Sequence, residues 1–275
     1  GVNIQIRLLI KKYFMENTFL LKHQKRKYWP ILRTLSRGMF KSERVFDDNL
    51  LLSYFDDGYI SDRIAIKDSE IHVWFLDIGN YDEYHMKSLF DILTLDEKAK
   101  MSHYVHVADQ KRFLVGHSML RILLSRYLAR EPDDIILLNS KHGKLYMPQS
   151  NVSFNISHSG NRVALAFVKE KKIGVDIERM NSLDDYSQIA KNFFLPPESE
   201  RICAQTDAAK GMEKFYEIWT VKEAFVKALG HGLSRSLKSF EVLEQGTIND
   251  YTNNSRYNYY TKQLSDNYLC SLVVV

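Results

Sequence analysis

The sequence predicts an α+β fold. Three observations carry that reading: apolar alternation with a period of two over residues 70–76 and 152–178, helical apolar spacing over residues 110–130 and 213–229, and renewed strand patterning in the last twenty residues. In chain order, Ile71, Val73 and Phe75 alternate with His72, Trp74 and Leu76 as a strand. Leu93–Asp96 reads as the cap of a helix beginning near Glu97. Phe113, Gly116, Leu120, Leu123, Leu124 and Leu128 repeat at helical spacing, which predicts a helix over 110–130 that stops before Pro132.

A hairpin is expected around His142-Gly143-Lys144, then three adjacent antiparallel strands: Val152–Ile156, Val163–Phe167 and Ile173–Glu178. Residues 169–172 form the charged turn between the last two. Helices follow over 187–194 and 213–229, and strands over 257–261 and 269–275.

At 275 residues the chain has room for one large domain or two fused lobes, and 45% apolar against 26% charged residues argues for a packed core. Lysine and arginine number 38 against 34 acids, a balance of +4 that permits phosphate-rich or acidic partners without demanding nucleic acid. Two cysteines, Cys203 and Cys270, make neither a disulfide framework nor a thiolate metal site, so a cytoplasmic setting is expected. No apolar run is long enough to span a bilayer, and Lys11 and Lys12 follow the apolar Ile4–Ile10 stretch instead of preceding it as in an export signal.

The first 44 residues hold 11 basic side chains against Glu16 and Glu43, so residues 1–68 read as a segment of their own, either a basic arm or a packed extension. A nucleic-acid or acidic-partner module built on that arm is the competing functional class. Its sign is steep salt dependence, and the chain lacks interleaved aromatic and basic stacking motifs.

Three stretches carry candidate chemistry. In Ile173–Glu178 the pleat puts Ile173, Val175 and Ile177 on one face and Asp176 and Glu178 on the other. Two carboxylates about 7 Å apart are either solvated acids or hard oxygen ligands of the kind that suits Mg²⁺. In the 213–229 helix, Glu223 and Lys227 stand at i and i+4. They form an ordinary ion pair, or a third metal carboxylate beside a phosphate-binding lysine. The glycines of Gly230–Gly232 suit a helix cap. In Asn155–Gly160, Ser157 and Ser159 flank His158, but neighbours in sequence rarely form a nucleophile–base pair, and a phosphate cradle fits better. Lys98, Lys100, Arg112 and Lys144 are further cationic candidates.

The order of these stretches resembles the 4'-phosphopantetheinyl transferase signature. The residues that carry it are Phe154-Asn-Ile-Ser-His-Ser-Gly160, then Ile173-Gly-Val-Asp-Ile-Glu178, then Trp219-Thr-Val-Lys-Glu-Ala-Phe-Val-Lys227 with Gly230-His-Gly-Leu233. The chain is similar to the larger, monomeric surfactin-synthetase-activating (Sfp-like) type from about residue 70 onward. The resemblance implies two similar, pseudo-twofold lobes, 69–168 and 169–275, each a mainly antiparallel sheet packed with helices, with the active site in the cleft between them. It implies Mg²⁺-dependent transfer of the phosphopantetheine arm of coenzyme A to a serine of an apo acyl or peptidyl carrier protein, releasing 3',5'-ADP.

By the same resemblance, Asp176, Glu178 and Glu223 match the metal carboxylates and Lys227 the lysine beside the pyrophosphate. Ser157 and His158 match coenzyme A phosphate contacts. Lys222 matches a further ligand contact, and Gly143 and Lys144 a turn near the nucleotide, where Leu145 replaces the family's proline. Lys98, Lys100 and Arg112 match upstream basic positions across a one-residue gap. Residues 1–68 have no counterpart in the pattern. A Mg²⁺-dependent phosphohydrolase is the rival enzyme, and the product distinguishes it.

Overall fold

The computed structural model describes residues 43–47, 50–54, 63–68 and 70–275. The calls on the arm before residue 43 lie outside the described residues. Two lobes follow one another along the chain, each a five-stranded sheet carrying a 22-residue helix. No helix among the described residues is long and apolar enough to cross a membrane.

In the first lobe, β1 (Glu43–Asp47) pairs antiparallel with β2 (Leu50–Tyr54), and β2 joins β3 (Glu70–Asp77) in parallel. Two strands of the 1–68 segment therefore belong to the first sheet. Helices α1 (Glu83–Ile92), α2 (Leu95–Ser102) and α3 (Val107–Leu128) come next. Thr94 starts α2 through a reciprocal capping box with Glu97, as the sequence suggested. The hairpin of β4 (Leu138–Asn139) and β5 (Leu145–Tyr146) turns at Gly143 with φ +84. Then β6 (Val152–Ser159) and β7 (Arg162–Lys169) complete the sheet in the order β1-β2-β3-β7-β6.

The second lobe holds β8 (Ile173–Arg179), α4 (Tyr186–Phe193), α5 (Pro196–Cys203), α6 (Ala208–Leu229), β9 (Phe240–Leu243), β10 (Thr247–Asp250), β11 (Ser255–Leu264) and β12 (Tyr268–Val274). Its sheet is antiparallel throughout, in the order β8-β12-β11-β10-β9.

One expectation is corrected here. β6, β7 and β8 do not form a single three-stranded run, because β8 leaves the first sheet and pairs with β12. Both edges of β7 are already taken, by β3 and β6. The apolar face of β8 packs flat against β7 instead: Ile173, Val175 and Ile177 meet Ala164, Ala166 and Val168 in a core that also holds Ile71, Val73, Cys270 and Leu272. Strands buried on both faces read as continuous apolar runs, which is why their sheet membership is hard to read locally.

Outside this central layer each sheet turns its second face to its own helices. Val163, Leu165 and Phe167 of β7 and Trp74 and Leu76 of β3 meet Met119, Leu120 and Leu123 of α3. Leu269 and Val273 of β12 meet Val221, Ala224 and Phe225 of α6. Burying a side chain of this size contributes about 1.5–3 kcal/mol, so the four layers hold each other in register.

Gly174 sets how closely α6 approaches β8. A Cβ there would lie 1.9 Å from the Ala224 carbonyl oxygen and 2.4 Å from the Ala228 nitrogen. Gly174→Ala is expected to cost about 3 kcal/mol or more through overpacking against backbone, read as a fall in the thermal midpoint.

Candidate active site

The seam between the lobes is stitched by side chains of β6 that satisfy the edge amides of β8. Asn155 Oδ1 accepts from Val175 N at 2.9 Å, Ser157 Oγ from Ile177 N at 3.3 Å and Ser159 Oγ from Arg179 N at 3.1 Å. Alternate side chains of β6 thus replace a missing neighbour for β8, and the free edge of β8 is covered.

Because Ile173, Val175 and Ile177 enter the central core, Asp176 and Glu178 are turned to the α6 face, where Glu223 and Lys227 descend. Lys227 Nζ donates to Asp176 Oδ1 at 2.5 Å and to Ser157 Oγ at 3.0 Å. Ser157 Oγ itself donates to Asp176 Oδ1 at 2.9 Å, and Ser159 Oγ to Glu178 Oε2 at 2.7 Å. Asp176 is 3% exposed, and its Oδ2 is buried without a hydrogen-bond partner. Such an atom costs free energy until a donor or a cation reaches it.

These groups open onto a cavity of about 390 Å³. Its second-lobe wall is Asp176, Glu178, Trp219, Glu223 and Lys227. Its first-lobe wall is Tyr104, Arg112, Phe113, His117, Ile156, Ser157 and His158. Burial, then the charge of Asp176, raises the proton affinity of Glu223, with Lys227 opposing. Burial and Asp176 also raise that of Glu178, and Glu223 adds to the effect. His158 moves the other way, pushed down by burial and by the nearby Arg112 and Lys227.

The sign of the Glu178 shift gives a test. Its neutral form is favoured in the folded protein, so the associated stability is present at acid pH and lost as pH rises through the raised value. In metal-free protein, Glu178→Gln is therefore expected to raise the thermal midpoint at pH 7. The gain is expected to vanish below the ordinary value of 4.5, where the carboxyl is protonated in both states.

Asp176, Glu178, Glu223, Lys227, Ser157, His158 and Arg112 all line this cavity. Lys222 does not, and its expected ligand role is corrected. It is fully buried on the far side of α6, where Nζ meets Glu198 Oε1 at 2.8 Å, the Leu237 carbonyl at 2.8 Å and the Phe240 carbonyl at 3.0 Å. Burial lowers it to about 8. Adjacent helix residues point about 100° apart, so the neighbour of a site residue seldom shares the site.

Lys98 stands over the Phe90 ring at 4.6 Å and Lys100 over the Phe113 ring at 5.8 Å, and neither lines the cavity. Lys144 reaches across the seam to the Ile173 and Ala228 carbonyls at 2.9 and 3.1 Å, and burial with Lys172 lowers it to about 8. It lines a separate cavity of about 270 Å³ with Phe154, Ala228 and Gly230. The Gly143 turn packs nearby, with His142 edge-on to His231.

The sequence reading missed His117 and gave Trp219 no place in the cavity wall. The spacing of Phe113 and His117, one helical turn apart and stacked at 3.8 Å, was the available signal for His117.

Among the described residues, no group of three or more His, Cys, Asp or Glu side chains is arranged to hold a metal ion. The donor set nonetheless suits a hard divalent cation. Three carboxylates share one cavity with a single ammonium against them, two have raised proton affinity, and the third keeps a buried oxygen without a partner.

Comparisons with known proteins agree across both lobes. A family described as the 4'-phosphopantetheinyl transferase superfamily matches residues 172–273, and one described as 4'-phosphopantetheinyl transferase, N-terminal, matches residues 81–170. The 4'-phosphopantetheinyl transferase HetI of Nostoc sp. is 31% identical over 184 residues, which is 66% of this chain and 76% of that protein. The 4'-phosphopantetheinyl transferase gsp of Aneurinibacillus migulanus is 30% identical over 206 residues, 73% of this chain and 84% of that protein. The 4'-phosphopantetheinyl transferase Sfp of Bacillus subtilis is 35% identical over 148 residues, 54% of this chain and 64% of that protein.

Proposed function

This chain belongs to the 4'-phosphopantetheinyl transferase superfamily, and from that premise we propose that it moves the phosphopantetheine arm of coenzyme A onto a serine hydroxyl of an apo acyl or peptidyl carrier protein, releasing 3',5'-ADP. The observation that supports this reading most is the cavity at the lobe seam, which sets three carboxylates and Lys227 opposite Arg112, Ser157 and His158.

Asp176, Glu178 and Glu223 are the residues that would hold Mg²⁺. When bound, the ion offsets the negative charge that builds on diphosphate oxygens during transfer. The chain's own groups divide the remaining work. Glu223 takes the proton of the incoming hydroxyl, directly or through a water; burial and Asp176 raise its proton affinity above that of an ordinary carboxylate. Lys227 stabilises the departing 3',5'-ADP and supplies it with a proton. His158 is assigned to holding phosphate and not to base chemistry, beside Arg112 and Lys227, which together with burial lower its proton affinity.

The cavity beside Lys144 extends the same seam, along Phe154 of β6 and Ala228–Gly230 of α6, toward the Gly143 turn. Together the two cavities offer a long ligand an anionic-group site and a neighbouring apolar recess, and we assign the nucleotide end to the second. We further assign the chain to the cytoplasm as a monomer, a setting that agrees with its unpaired Cys203 and Cys270.

The test follows the product. With coenzyme A and Mg²⁺, 3',5'-ADP should form only when an apo-carrier protein is present. Equal release without carrier would mean hydrolysis and would overturn the transfer reading.

A further inference from the structure

We propose that His117 is a further phosphate-binding residue on the first-lobe wall of the cavity, held in place by Glu97. The inference rests on the transfer reading and extends it to a residue that neither the sequence motifs nor the comparisons mark.

The first-lobe lining contains no carboxylate; its polar side chains are Tyr104, Arg112, His117, Ser157 and His158. That wall offers donors to an anion, while the acids stand opposite. Two of its donors are each backed by an acid that does not line the cavity. Arg112 is paired with Asp109, and its Nη1 also donates to the Gly160 carbonyl at 2.7 Å. His117 Nδ1 lies 3.4 Å from Glu97 Oε1, and the ring is stacked on Phe113 at 3.8 Å with an interplanar angle of 20°.

Glu97 cannot swing away. Its Oε2 accepts from Thr94 N at 2.9 Å, from Thr94 Oγ1 at 3.0 Å and from Arg121 Nε at 2.8 Å. Arg121 is itself anchored on the Ile135 carbonyl at 2.7 Å. With Nδ1 turned to Glu97, Nε2 is the ring's remaining polar atom. With both ring nitrogens carrying hydrogen, Nδ1–H points to Glu97 and Nε2–H is donated to a phosphate oxygen, with the Glu97 carboxylate as the counter-charge behind the ring. This fills the place the sequence gave to Lys98 and Lys100, which stand over the Phe90 and Phe113 rings and do not line the cavity themselves.

The test uses a pair of isosteres. His117→Asn keeps a donor at the Nδ1 position for Glu97 and removes the cavity-facing one. His117→Gln restores a donor near the Nε2 position. Affinity for coenzyme A and for 3',5'-ADP is measured by titration calorimetry, with thermal melts confirming that both variants fold.

The expected result is a loss of about tenfold for both ligands in His117→Asn, recovered to within about threefold in His117→Gln, with Lys98→Ala unchanged. Parent-like binding by His117→Asn overturns the inference, and so does failure of the folded His117→Gln to recover. If the parent protein binds neither ligand, the transfer reading itself has failed.

Discussion

Glu223→Gln is expected to lower kcat for carrier modification by about 10²–10⁴-fold, the usual contribution of a positioned base, while the protein stays folded. The substitution keeps shape and removes charge. It touches no anchoring hydrogen bond, since Glu223 stands in the cavity wall and is held by the packing of α6 through Ala224, Phe225 and Val226. Its effect on stability runs opposite to its effect on turnover. Burial and Asp176 disfavour the Glu223 carboxylate, so the neutral amide relieves repulsion in metal-free protein. A variant that melts no lower than the parent but has lost turnover is the expected pattern. Unchanged kcat and unchanged Mg²⁺ dependence would remove Glu223 from both of its assigned roles.

Lys222→Met is expected to cost about 3–5 kcal/mol of stability, the largest effect anticipated for a residue outside the cavity. The Lys222–Glu198 pair is fully buried on both sides. Glu198 also accepts from Leu195 N at 2.9 Å and Val242 N at 2.7 Å, so it ties α5 to β9, while Lys222 ties α6 to Leu237 and to Phe240 at the start of β9. Removing the ammonium leaves a buried carboxylate without its counter-charge. Combining Lys222→Met with Glu198→Gln is expected to recover part of the loss, because the amide oxygen still accepts from Val242 while the stranded charge is gone. Below the melting range the KM of Lys222→Met for coenzyme A should match the parent. A raised KM with unchanged stability would return Lys222 to the ligand contacts.

Lys222 also shows where the sequence stopped being legible. The acids and Lys227 could be read because a strand's two-residue period and a helix's i to i+4 spacing fix which side chains share a face. Asp176 and Glu178 do face α6, and Glu223 and Lys227 do share its cavity side. Nothing in one helix says what packs against its other side, and Lys222 finds Glu198 on a separate helix. The pairing of β8 was hidden for a similar reason. Its partner β12 lies at the far end of the chain, whereas β7, its neighbour in sequence, meets it face to face.

Short elements were lost as well. α1, α5, β9 and β10 span only 10, 8, 4 and 4 residues, too few turns or alternations to stand out. The α+β class survived these omissions because the long helices and central strands carry it. His117 went unread because a lone histidine on an apolar helix face has no pattern, and only the fold brings Glu97 up behind it.

The central claim is that groups from both lobes meet at the seam to transfer a phosphopantetheine arm. The measurement that tests it most directly is the intact mass of an apo-carrier protein after incubation with this protein, coenzyme A and Mg²⁺. The account predicts a gain equal to one arm on the carrier's serine, strongly reduced with Glu223→Gln. A carrier that keeps its mass with the parent protein, or gains as much with the variant, would contradict it.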